Sequence, residues 1–254
     1  MEPDASKIAA LREQVRAADE EFTYAQRFHE AWKPAAADTA LHERMGSSYA
    51  TNTFYVIRAA LRREMLLALM RIWDTHPKAL KMFEIARVIE DDCVVDALAD
   101  ECIAARKASK IAGLDDFDDS SQEAIRRSEI RFGEEQAKIL KEEVAAAVAI
   151  IGKYREGGTG RQTFDSLKRL RNERLAHRDI TKVEVAEVFT AEDGQIEQFY
   201  QDTSTLIRLL KSAVHKTDYS PDETALNLAR YAKLFWEGVK GERTQGHPSY
   251  RGFS

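Results

Sequence analysis

Cysteine is scarce in this chain of 254 residues: only Cys93 and Cys102 occur. They sit in one helix-like segment, too far apart along it to bridge, and their spacing matches no zinc set. The expectation is that both are small buried apolar residues. Long apolar runs are also missing, and VAAAVAIIG at 144–152 is too short to span a bilayer. MEPDASK at the N-terminus shows no basic stretch leading into an apolar core and no small-residue cleavage pattern. With no secretory signal visible, a cytoplasmic protein without membrane contact is expected. The sequence holds no Gly-rich phosphate loop, no HExxH, no strand meander and no tandem repeat. His29, His42, His76, His215 and His247 are scattered without ligand spacing, so neither metal nor cofactor is expected.

Excess positive charge is absent overall, yet one segment reverses the trend. The formal net charge is −5, which argues against a general basic surface that coats long nucleic acid. Between Lys153 and Lys182, nine basic residues face four acidic ones, so this piece carries +5 and the rest −10. Contact with a polyanion should therefore be local and short. The acidic runs Glu90-Asp91-Asp92 and Asp115 to Asp119 fit solvated helix ends and a loop.

What is plentiful is helical periodicity. Ile8, Leu11, Val15, Ala18, Phe22 and Ala25 mark one face of a helix over 4–30. Residues 33–48, with Pro34 and Gly46, read as a connection. Phe54, Ile57, Leu61, Met65, Ala68 and Ile72 continue the pattern over 51–75, which THP ends. Residues 78–110 should be helical with a break near Asp91 and Asp92. GLDDFDDSS at 113–121 reads as a loop, and Ser120-x-x-Glu123 as a capping box opening a helix over 121–155. Its stripe is Leu140, Val144, Ala147 and Ile151. Thr159-x-x-Gln162 forms a second capping box for a helix over 159–177. The spacing leaves 181–193 open between strand and helix, and predicts a helix over 195–216. Ser220-Pro221-Asp222-Glu223 is a strong start for another, lasting to about Val239. These elements make an all-α bundle over 1–216, with an additional helix packed on it over 217–240 and a mobile tail over 241–254.

The helix over 159–177 carries RLRNERLAHRDI at 169–180, with four Arg and one His. At about 100° per residue, with Phe164 at zero, Leu167 falls near roughly 300° and Leu175 near roughly 20°, the buried stripe. Arg171 falls near roughly 340°, inside it. A guanidinium there costs several kcal/mol unless a carboxylate or a ligand phosphate meets it. Asp74 is one candidate partner. His177 follows near the expected helix end, where the C-terminal dipole suits a protonated imidazole. On an ideal helix it lies about 120° from Arg171, so the two converge only if the helix tightens or ends first, or if a second chain supplies the other group.

LRNERLAHRD, an Arg-Asn followed after four residues by His on a late helix of an all-α bundle, resembles the signature of the HEPN superfamily, the higher eukaryotes and prokaryotes nucleotide-binding domain. SYATNTFYVIRAALRREMLLALMRIWD at 48–74 resembles the corresponding helix of the abortive-infection-protein-U group, found in phage-defence and toxin-antitoxin contexts. The resemblance spans roughly 10–215, and its specific piece is Arg-Asn-x4-His. It implies a metal-independent endoribonuclease acting as a homodimer whose motif helices meet at a cleft. Arg171 would stabilise charge on the scissile phosphate, Asn172 would position it, and His177 would serve as general acid or base. Lys168, Arg169, Arg174 and Arg178 would hold the RNA backbone. An antitoxin or regulatory protein is a further implied partner. HEPN toxins paired with nucleotidyltransferase antitoxins often carry a Tyr two residues after the His, whereas this chain has Asp179. The alternative is a non-catalytic HEPN module that binds nucleotide or a protein, with Arg171 as a structural ion-pair residue. A buried carboxylate saturating Arg171 would favour the module, and an unsaturated Arg171 in a cleft the enzyme.

Overall fold

The computed structural model describes residues 5–74, 76, 80–108, 118–172, 192–217 and 220–251. Among these residues every regular element is helical. In chain order the α-helices are α1 (Ala5–Ala37), α2 (Thr39–Met45), α3 (Tyr49–Ile72), α4 (Met82–Ile89), α5 (Asp92–Lys107), α6 (Asp119–Tyr154), α7 (Arg161–Leu170), α8 (Asp193–His215) and α9 (Pro221–Gly238). No described helix is long and apolar enough to cross a membrane.

The chain forms two compact units. One, termed here the α5–α6 unit, comprises Met1–Ala18, Thr75–Arg161 and Ser204–Tyr219. The other, the α3–α7 unit, comprises Asp19–Asp74, Gln162–Thr203 and Ser220–Ser254.

In the α5–α6 unit, α5 runs against α6, and α4 packs on both. The stripe expected on α6 is buried, with Leu140, Val144, Ala147 and Ile151 all inside. Gly133 allows α5 to come close, because a Cβ there would stand 3.1 Å from the Ile103 Cα. The expected break between α4 and α5 is a cap: the Asp91 side chain accepts from the Cys93 amide at 3.1 Å. Asp118, rather than Ser120, caps α6, accepting from the Ser120 and Ser121 amides at 3.0 Å each. A carboxylate offers the stronger acceptor to free amides at the positive end of a helix dipole. The same bonds, led by the Ser120 and Ser121 hydroxyls, hold the Asp118 carboxyl far below its ordinary range. Both cysteines depart from expectation: Cys93 is exposed and Cys102 half-buried. Cys93 lies in the first turn of α5, where its amide serves the cap and its side chain is left outside.

In the α3–α7 unit, α1 continues past Pro34 to Ala37, so the connection expected over 33–48 is mostly helix. Pro34 forfeits one amide donor near the end of α1, while its carbonyl still accepts from the Asp38 amide at 2.9 Å. Asp38 then caps α2 through the Leu41 amide. Ala35, Leu41, Met45, Phe54, Ala232 and Trp236 form a buried cluster. Trp236 Nε1 ties α9 to α1 by donating to the Ala31 carbonyl at 2.9 Å. Ser220 caps α9 with Pro221 at its first turn, as the sequence predicts. In the stretch expected to be a tail, a 3₁₀ turn at Gly241–Arg243 lies against α2, and the Tyr49 amide donates to the Gln245 carbonyl at 3.0 Å.

Candidate functional site

The site begins at the C-terminal end of α3. Trp73 is fully buried, with its ring centroid 5.4 Å from Phe199 and 6.3 Å from Phe164. Its Nε1 donates to Thr203 Oγ1 at 3.1 Å, and that hydroxyl donates to the Phe199 carbonyl at 2.7 Å. A large ring locked on three sides fixes the next residue, Asp74, in place.

From the other side comes α7, which buries Phe164 and Leu167 as its period requires. Past Leu170 the backbone widens into a π-helical turn at Arg171 and Asn172. Such widenings recur at functional sites because they re-aim side chains off the regular helix face. Arg171 Nη1 donates to Asp74 Oδ2 at 2.8 Å and to the Met70 carbonyl at 3.4 Å, and Nε donates to Asn172 Oδ1 at 3.0 Å. The Arg171 and Asp74 side chains are only 17% and 19% exposed. The Met70 carbonyl belongs to the last turn of α3, whose negative dipole end also favours a cation. The helix-period argument that put Arg171 inside is therefore supported, and Asp74 is its carboxylate. Hydrogen bonds among the described residues engage Nε and Nη1 but not Nη2.

Of the remaining residues singled out in the sequence, Lys168 is half-buried and Arg169 exposed, both on the last turn of α7. His177, Arg174, Arg178 and Asp179 lie outside the described residues, as do Leu175, the open segment 181–191 and most of the acidic loop 113–121.

Two features escaped the sequence reading. His29 is 1% exposed, with Nδ1 2.8 Å from Glu30 Oε1, Nε2 2.8 Å from Glu197 Oε2, and its ring stacked on Tyr200 at 3.8 Å. Burial pushes the Glu197 carboxyl up, but bonds from Gln201 and His29 and the charges of His29 and Lys33 outweigh it and hold the group below its ordinary value. The signal was faint: His29 has one acidic neighbour in sequence, and the second arrives from α8. The other feature is a groove of about 600 Å³ lined by Trp32, Tyr55, Arg58, Arg62 and Arg63. Arg58 and Arg62 sit one helical turn apart on α3, a hint that the sequence did offer. Among the described residues no group of three or more His, Cys, Asp or Glu is arranged to hold a metal ion.

An arginine aimed by a π turn at the end of a late helix, in an all-α chain, agrees with what a family comparison finds. The AbiU2 family of HEPN proteins, HEPN_AbiU2, matches residues 8–235. The chain belongs to the HEPN AbiU2 family. No curated protein and no solved structure matches it. Membership in a HEPN family suggests a nuclease or a nucleotide-binding module of a defence system, and both rest on the motif helix that ends in Arg171.

Proposed function

We propose that this HEPN AbiU2 protein is a metal-independent endoribonuclease of a phage-defence or toxin-antitoxin system, acting as a homodimer. The observation that carries this reading is the setting of Arg171: it is oriented by Asp74 and Asn172 at the end of α7, with Nη2 uncommitted among the described residues. A guanidinium fixed by a carboxylate on one edge can present its other edge to a phosphate without a reorganisation cost. In the reaction an RNA 2′-oxygen bonds to its own phosphorus and the bond to the 5′-oxygen breaks, leaving a 2′,3′-cyclic phosphate and a 5′-hydroxyl. The 2′-hydroxyl proton passes to one His177, and the leaving oxygen takes a proton from the second copy's His177. Arg171 offsets the charge that builds on the non-bridging oxygens, with Asn172 beside it as a neutral positioning group. Lys168, Arg169, Arg174 and Arg178 hold the flanking phosphates, and an antitoxin or regulatory protein restrains the enzyme.

The Asp74 pair also favours a second reading, in which Arg171 is a structural cation and the chain a non-catalytic module for nucleotide or protein. RNA turnover and growth on expression separate the two. Wild type should cleave single-stranded RNA with a chelator present, and His177→Ala and Arg171→Ala should each lose about 100-fold or more. Equal turnover by all three, or none by any, leaves the module.

A further inference from the structure

We propose that the groove between the end of α1 and the middle of α3 is a binding site for single-stranded RNA, gripping one nucleotide unit away from the Arg171 pair. This rests on the reading of the chain as an RNA-handling protein, and not on its being catalytic. The groove, at about 600 Å³, is within the range of about 300–1,000 Å³ usual for ligand clefts. Three arginines, Arg58, Arg62 and Arg63, line it against a single carboxylate, Asp193.

These arginines are not equivalent. Arg62 is committed: it pairs with Asp193, and its guanidinium stands 5.8 Å from the Trp32 ring centre. That brace fixes Trp32 as one wall. Arg58 meets no carboxylate among the described residues and lies 6.0 Å from the Tyr55 ring centre. Arg63 pairs only with its sequence neighbour Glu64, at 3.0 Å on the surface, an interaction too weak to compete with a phosphate. Two cations are thus available at the rim, beside a Tyr55 ring that is 56% exposed.

The chemistry favours RNA over an acidic peptide. Carboxylates would satisfy Arg58 and Arg63 but would leave two aromatic faces and an alanine-lined floor without a partner. A nucleotide answers both, with phosphate on the cations and a flat base on the rings, and base stacking of this kind tolerates any sequence. Leu170, the residue before Arg171, also lines the groove. A strand held here is therefore delivered towards the motif turn along the chain's own continuous surface.

The test is fluorescence anisotropy with a labelled 2′-O-methyl RNA of about ten nucleotides, which lacks the attacking hydroxyl and so reads binding apart from cleavage. Arg58→Ala with Arg63→Ala should weaken binding at least about tenfold and lower the slope of log affinity against log salt by about two. Tyr55→Leu should weaken it by about tenfold with the salt slope unchanged. Arg127→Ala, an exposed arginine on α6 of the other unit, is the control and should bind as wild type. Thermal midpoints equal to wild type establish that the variants fold. Unchanged affinity in the double and Tyr55 variants overturns the proposal. So does a Tyr55→Leu protein that binds normally while polyglutamate competes with the RNA, the pattern of an acidic protein partner. If groove variants lose binding while wild type never cleaves, the groove stands and the ribonuclease falls; if they bind and cleave normally, the reverse holds.

Discussion

The α5–α6 unit keeps its ion pairs at the surface, whereas the α3–α7 unit takes charge inside. Lys7 with Asp91 and Lys141 with Asp96 have side chains 37% to 62% exposed. Among the described residues, the buried ionisable ones, His29, Glu30 and Asp202, all belong to the α3–α7 unit. The Arg171–Asp74 pair, less than a fifth exposed, belongs there too. Exposed pairs contribute little and cost little, while buried ones must recover a desolvation penalty through several partners at once. A unit that accepts this penalty repeatedly, and also carries the motif helix and the cationic groove, is the one organised around polar chemistry. The other is organised around helix packing.

If that contrast is right, the largest loss should come from His29. His29→Ala leaves Glu30 buried without its partner, and should cost about 3–5 kcal/mol in urea-induced unfolding. A loss under about 1 kcal/mol would mean that the His29 cluster is solvated and the contrast false. Thr203→Val removes the acceptor for the buried Trp73 indole and should cost about 1–3 kcal/mol by the same measurement. Because Trp73 sets Asp74, this variant should also lower RNA cleavage more than its stability loss at assay temperature explains. Asp74→Asn comes next: it keeps the shape but removes the charge, and about 1–2 kcal/mol of stability is expected to go. If RNA affinity rises in that variant while turnover falls, Asp74 is an orienting group; if neither moves, Arg171 is structural only.

A smaller effect concerns pH. The Glu197 carboxyl is held below its ordinary value of 4.5, so its stabilisation is present above that pH and is lost as pH falls through the lower folded value. Glu197→Gln should therefore flatten the acid limb of the stability profile below about pH 4.5 and leave neutral pH nearly unaffected. Smallest of all, Lys141→Ala in the α5–α6 unit should leave the unfolding midpoint within measurement scatter. A clear shift there would erase the difference between the two units.

The helical period alone determined a great deal. It placed the stripes of α1, α3, α6 and α8, the start of α9, and the interior position of Arg171, because every third or fourth apolar residue must share a buried face. It also allowed Asp74 to be named as the partner of Arg171, since a cation inside a stripe demands an anion. Local patterns did less well where two residues compete for one task. Asp118 outbids Ser120 as a cap by charge, and Pro34 is absorbed at a helix end where only one amide is forfeited. The Cys93 side chain is left outside because position in the first turn, not apolar character, decides its face. What only the tertiary structure decided is which distant residues meet: Glu197 with His29, Thr203 with Trp73, Trp32 with Arg62. Periodicity says which way a side chain points, but the partner it finds depends on how separate helices stack, and that is set by the fit of whole faces.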